Sequence, residues 1–117
     1  MRAALSAVAA LSLVVCAWLF VMFLVLQHPG YQWRAAMALG LIALGIVAIA
    51  GAWQDDPAPP VLRAALAVGA AILAFVGVTA IVGNHRPGGH FEGYLEVAGL
   101  LFSAQAVLML LRLRRAT

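Results

Sequence analysis

The sequence predicts an all-α integral membrane protein, a single domain over residues 1–117 with four transmembrane helices in a compact bundle. Of its 117 residues 66% are hydrophobic and 9% are charged, and the mean hydropathy is +1.06. A soluble domain carries about a quarter charged residues. A soluble chain this short would also have too much surface for its volume to hide so many apolar side chains. Most of this chain is therefore expected to contact lipid.

Four apolar segments are long enough to cross a bilayer, because a helix needs roughly twenty apolar residues to cross ~30 Å of hydrocarbon. The predicted helices cover residues 3–26, 35–53, 61–82 and 94–111. The stretches between them read "QHPGYQWR", "QDDPAPP" and "NHRPGGHFEGYLE". Their prolines, glycines and paired carboxylates end helices and favour water. The first segment is predicted to be a retained helix, since its apolar run exceeds the 7–15 residues typical of a signal peptide.

The arginines predict the orientation of the helices, because short cytoplasmic loops carry an excess of basic residues. The chain has seven basic residues. Five fall on one side of the predicted bundle (Arg2, Arg63, Arg112, Arg114 and Arg115), and two fall on the other (Arg34 and Arg86). Both termini are therefore expected in the cytoplasm. The use of arginine without lysine is typical of a GC-rich genome, which favours a bacterial plasma membrane as the location.

Small residues predict how the helices pack, since lipid gives no hydrophobic drive for their association and close approach replaces it. They recur along the second, third and fourth helices, as Ala36 and Gly40, Gly69 and Gly77, and Gly99 and Ser103. The first and third helices also end alike, in "FVMFLVLQHPGY" and "FVGVTAIVGNHRPGGH". This similarity leaves open an arrangement of two helical hairpins with the same orientation.

The outer loops hold all three histidines, and these raise the hypothesis of a metal site. His28, His85 and His90 with Glu92 offer imidazole and carboxylate ligands, which suit zinc, copper or non-haem iron. The separation of His85 from His90 in a Pro-Gly-Gly loop matches no recognised ligand spacing. A metal site is therefore not favoured, and no cofactor is predicted.

A structural role is the favoured interpretation of the remaining polar residues. If the fourth helix starts near Phe91, Glu92 and Glu96 lie one turn apart on the same face, and Glu96 falls at the edge of the hydrocarbon. Arg34 and Arg86 are the cations on that side, so an ion pair that ties the two outer loops together is expected. Gln105 lies near the middle of the fourth helix and is expected to hydrogen-bond to another helix.

The sequence shows no nucleophilic triad, phosphate loop, haem-attachment motif or nucleic-acid surface, and it predicts no enzyme. The leading hypothesis is a non-catalytic accessory or scaffold subunit of a larger membrane complex, such as a respiratory or transport assembly. A second hypothesis is a homo-oligomeric channel or carrier with a pathway near Glu96 and Gln105. A third is a protein that binds a metal or a quinone at its outer face. The expected partners are the lipid bilayer and either larger integral membrane proteins or further copies of the chain.

Overall fold

The structure, a computed structural model, describes residues 2–55 and 58–116. It contains four helices in chain order, α1 (Arg2–Leu26), α2 (Tyr31–Trp53), α3 (Pro60–Asn84) and α4 (Gly93–Ala116). All four are long and apolar enough to cross a membrane, which confirms the predicted number of helices and their character. They form a compact bundle that measures 46 × 28 × 21 Å.

The bundle consists of two helical hairpins. α1 packs along α2, and α3 packs along α4. The hairpins join mainly where α1 meets α4, while α2 and α3 contact each other less. Every turn reverses the chain direction, so the α1–α2 loop (residues 27–30) and the α3–α4 loop (residues 85–92) share one end, named here the histidine end. The start of α1, the end of α2, the start of α3 and the end of α4 share the other, the arginine end.

Local sequence explains where the helices begin and end. Pro60 is the first residue of α3, a position where its missing N–H costs nothing. Gly30 precedes α2 with a φ of 82°, a left-handed conformation that glycine adopts without strain. α2 therefore begins at Tyr31, four residues before the start at residue 35 that hydropathy predicts.

Glycines set the spacing between the helices. A Cβ atom on Gly77 of α3 would lie 2.9 Å from the Gly99 carbonyl oxygen of α4, so the two backbones are in direct contact. Between α2 and α3, Gly51 faces Leu66 and Gly69 faces Leu44. These α2–α3 contacts belong to the half of the bundle nearer the arginine end.

Apolar side chains cover much of the outside of the bundle. Val25, Val61 and Phe75 are among the large hydrophobic residues that are more than two-thirds exposed. Contacts at the arginine end join α1 to the end of α2, since Trp53 Nε1 donates a hydrogen bond of 2.7 Å to Ser6 Oγ. Arg2 also forms an exposed ion pair of 3.5 Å with Asp55. An apolar exterior between two polar ends is the arrangement that a bilayer requires.

Candidate functional site

Asn84 closes the α3–α4 loop at the histidine end. This last residue of α3 is 3% exposed. Its Oδ1 accepts a 2.7 Å hydrogen bond from the Glu92 backbone N–H, and its Nδ2 donates a 3.1 Å bond to the Glu92 carbonyl oxygen. A single amide side chain thus satisfies both backbone polar groups of the residue before α4, and fixes where α4 begins.

Glu96 lies one turn into α4 and faces the same amide. Its Oε1 accepts a 3.3 Å hydrogen bond from Asn84 Nδ2. His85 Nε2 lies 2.9 Å from Oε2 and 3.1 Å from Oε1 of the same carboxylate. Because an ionised carboxylate only accepts hydrogen bonds, Nε2 carries the proton in this contact. Glu96 is therefore held by His85 and Asn84, where the sequence suggested an arginine as its partner.

The loop between His85 and Glu92 is compact. Gly89 N–H donates a 3.0 Å hydrogen bond to the Arg86 carbonyl, and Gly88 has a φ of 77°. With Pro87 at the second position, this is the pattern of a type II turn, which needs glycine at its third position. The His85 and Phe91 rings meet edge to face, with centroids 5.6 Å apart. The Arg86 and His90 side chains are exposed on this loop.

The four residues of the metal hypothesis do not converge. His28 of the α1–α2 loop and Glu92 of the α3–α4 loop line one cavity, but His85 and His90 do not line it, and His85 is engaged with Glu96. Within residues 2–55 and 58–116, no three histidine, cysteine, aspartate or glutamate side chains come close enough to hold one ion.

A groove runs down the bundle from the histidine end, between α2 and α3. It has a volume of about 560 Å³, and residues of all four helices line it. Met37 of α2 and Phe75 of α3 line it and are exposed, so the groove opens to the outside between these two helices. Thr79 is on its wall, but its hydroxyl donates to the carbonyl oxygens of its own helix, Phe75 at 2.6 Å and Val76 at 3.1 Å. The wall is therefore mainly apolar.

The mouth of this α2–α3 groove is polar and carries charges of both signs. Arg34, Glu92 and Tyr94 line the groove and also an adjoining cavity of about 260 Å³, which His28 and Tyr31 complete. The Tyr94 hydroxyl lies beside the Glu92 carboxylate and within electrostatic range of Arg34. The Tyr94 ring also meets Trp18 of α1 edge to face, with centroids 5.8 Å apart.

Arg112 occupies the opposite end of the bundle and is 5% exposed. Its Nε donates a 2.7 Å hydrogen bond to the Gly51 carbonyl, and its Nη2 donates one of 2.7 Å to the Gln54 carbonyl. These carbonyls belong to the C-terminal end of α2, where a helix leaves acceptors unpaired and favours a cation. α4 consequently continues to Ala116, beyond the predicted end at residue 111.

Gln105 joins α4 to α2 in the middle of the bundle. The side chain is 0% exposed, and its Nε2 donates a hydrogen bond of 3.4 Å to the Leu44 carbonyl and contacts Met109 Sδ at 3.9 Å. Its Oε1 has no hydrogen-bond partner in the part of the chain that is described. The amide thus contributes one weak link between the two helices.

Sequence reasoning missed three features of these sites. They are the hydrogen bonds of Asn84 to the Glu92 backbone, the hydrogen bonds of Arg112 to the end of α2, and the α2–α3 groove. Each depends on which residues of separate helices lie at the same level along the bundle axis. For the first two, the available signal was an amide or a guanidinium at the end of an apolar helix, where backbone groups of a neighbouring helix or loop need partners.

Comparison of the chain with protein-family models, with curated proteins and with solved structures finds no match.

Proposed function

We propose that this protein is a small non-catalytic subunit of a larger membrane protein complex, and that α2 is the helix that contacts the partner. The supporting observation is an exposed face of α2 built from small residues, Ala36, Gly40 and Ala43, named here the small-residue face. These positions lie on one side of the helix, since residues three and four apart are neighbours on a helix surface.

Gly40 is an open glycine near the middle of a helix, whereas Gly83 and Gly93, which are also open, lie in the last turn of α3 and the first turn of α4. Gly45, Gly51, Gly69, Gly77 and Gly99 all face atoms of another helix, where a Cβ would meet a neighbour at 3.0 Å or less. A Cβ on Gly40 would meet nothing within 4 Å. A glycine inside a helix costs about 1 kcal/mol relative to alanine. Within the bundle nothing offsets this cost, whereas a partner helix that approaches closely would offset it.

The polar contacts inside the bundle support a structural role. Arg112, Gln105 and Asn84 each donate hydrogen bonds to the backbone of another helix or of the adjoining loop. Such bonds hold the helices in one arrangement. A bundle held in this way presents a fixed outer surface, which is what a scaffold subunit contributes to an assembly.

Gly40→Leu is expected to remove the partner from the complex, because the leucine side chain would keep the partner helix away from the small-residue face. The variant should still fold, since the position is open. Ala71→Leu is the matched control, because Ala71 is an exposed small residue of α3 on a different face. The measurement is the amount of partner that co-purifies with a tagged chain at native abundance. Equal recovery with Gly40→Leu and with the wild type would exclude this face as the contact.

We further propose that the chain inserts in the plasma membrane of a GC-rich bacterium, with both termini in the cytoplasm. Support comes from the basic residues: Arg2, Arg112, Arg114 and Arg115 lie at the arginine end, and Arg63 lies in the first turn of α3 at the same end. The histidine end carries Arg34 and Arg86. An excess of arginine in short loops marks the cytoplasmic side.

Cysteine labelling is expected to show this orientation. Residue 90 is exposed at the histidine end and residue 54 is exposed at the arginine end, while the native Cys16 is 0% exposed and should stay unlabelled. His90→Cys should react with a membrane-impermeant maleimide in intact cells. Gln54→Cys should react only after the membrane is opened. The reverse pattern would show that the termini are outside.

A further inference from the structure

We propose that the α2–α3 groove binds one aminophospholipid of the leaflet at the histidine end, with an acyl chain in the groove and the phosphoethanolamine headgroup at its mouth. The volume of about 560 Å³ is within the range of roughly 300–1,000 Å³ that small-molecule sites occupy. The groove also opens sideways between α2 and α3, so a lipid can enter it from the bilayer.

The depth of the groove matches one leaflet. Its lining on α4 runs from the N-terminal end to Phe102, ten residues beyond Glu92, and its lining on α2 runs from Arg34 to Leu41. At 1.5 Å per residue these distances are about 15 Å and about 10 Å. Half of a hydrocarbon core of ~30 Å is about 15 Å. A chain in the groove would therefore reach from the headgroup level to about the middle of the bilayer.

The groove has apolar walls and a polar mouth, which match the acyl chain and the headgroup of a phospholipid. Leu41, Phe75 and Phe102 line the deep part, and the Thr79 hydroxyl is turned to its own backbone. Arg34 and Glu92 are at the mouth, beside a second cavity of about 260 Å³ that has the room for a headgroup.

Charges of both signs at the mouth select the class of headgroup. None of the ion pairs among residues 2–55 and 58–116 involves Arg34 or the Glu92 carboxylate. The guanidinium suits a phosphate, to which it donates charge-assisted hydrogen bonds. The carboxylate suits an ammonium that can donate hydrogen bonds, and it disfavours a purely anionic headgroup. Phosphoethanolamine carries both groups, whereas phosphoglycerol lacks the cation and phosphocholine lacks N–H donors.

Native mass spectrometry of the full chain in detergent tests this proposal. The protein is mixed with phosphatidylethanolamine, phosphatidylglycerol or phosphatidylcholine that carry the same two oleoyl chains. We expect the wild type to retain one phosphatidylethanolamine per chain in preference to the other two lipids. Equal retention of the three lipids, or a preference for phosphatidylglycerol, would overturn the proposal.

Substitutions at the mouth test the contributions of the Arg34 and Glu92 charges one at a time. Arg34→Gln should lower the retention of phosphatidylethanolamine about five-fold, the upper range for one exposed charge pair. Arg86→Gln is the control and should change nothing, because Arg86 is at the same end but does not line the groove. Glu92→Gln should lower the preference for phosphatidylethanolamine over phosphatidylglycerol by a similar factor. A preference that survives Glu92→Gln would exclude the carboxylate as the ammonium site.

A substitution in the wall tests the acyl-chain part of the site. Ala80→Phe places a ring in the groove and should abolish retention of phosphatidylethanolamine, while Ala104→Phe on the exposed face of α4 should not. A lipid-free wild-type dimer that Ala80→Phe converts to a monomer would assign the groove to a second copy of the chain. That result would also overturn the proposal.

Discussion

Arg112→Ala is expected to lower the free energy of unfolding by about 3 kcal/mol, since hydrogen bonds from a charged donor contribute roughly 1.5–3 kcal/mol each. The guanidinium is buried and donates to the Gly51 and Gln54 carbonyls. Its removal leaves these acceptors at the end of α2 without their donor and removes a link between α4 and α2. The measurement is the unfolding of the purified protein in mixed micelles with increasing sodium dodecyl sulfate.

Arg115→Ala is the control for this prediction. Arg115 is exposed in the last turn of α4, three residues after Arg112, so its loss should change stability by no more than about 0.5 kcal/mol. Arg112→Lys should fall between the two, because an ammonium is a point charge and does not reproduce the fork of a guanidinium. Similar stabilities for Arg112→Ala and Arg115→Ala would show that the hydrogen bonds of Arg112 to the end of α2 do not stabilise the bundle.

Gly77→Ala is expected to lower the free energy of unfolding by about 2 kcal/mol, within the range for overpacked contacts. The new Cβ would lie 2.5 Å from Ser103 Oγ and 2.9 Å from both the Gly99 carbonyl oxygen and the Ser103 backbone nitrogen. Two of these three atoms are backbone and cannot rotate away. α3 and α4 would have to separate, and the hairpin would lose its close packing.

Gly83→Ala in the same helix is the matched control for Gly77→Ala. A Cβ on Gly83 would meet nothing within 4 Å, so only the higher helix propensity of alanine acts there. The control should be neutral or up to about 1 kcal/mol more stable. The same unfolding assay compares the two variants. If Gly77→Ala were as stable as Gly83→Ala, the backbone contact between α3 and α4 would not be important for stability.

Hydropathy predicted the number of helices and their character because a bilayer imposes both through length and polarity alone. It could not predict that α4 extends to Ala116. Hydropathy falls at Arg112, but this side chain turns inward to carbonyls 58 and 61 residues earlier in the sequence. Such a partner can be identified only when the positions of α2 and α4 along the bundle axis are known.

The partner of Glu96 illustrates the same limit. The sequence offered Arg34 and Arg86 as cations on the same side, and charge alone favoured them. The contact between Gly77 and Gly99 fixes the position of α3 relative to α4 along the bundle axis. Asn84 and His85 therefore lie next to Glu96. The α2–α3 groove was also unpredictable, because it depends on how two apolar helices pack and leaves no mark in the composition.

The groove and the small-residue face give the bundle two different surfaces. Met37 and Leu41 line the groove, whereas Ala36, Gly40 and Ala43 are on another side of α2. A bound lipid and a partner helix would therefore not compete. An aminophospholipid in the groove would contact both α2 and α3 at the histidine end.

The most direct test of the proposed subunit role is the composition of the complex that contains the native chain. A tag on the chromosomal copy and extraction in a mild detergent would preserve the assembly, and its mass and components can then be measured. We expect a larger integral membrane protein in fixed stoichiometry with this chain. A homo-oligomer without any other protein would contradict the subunit role and would favour a channel or carrier.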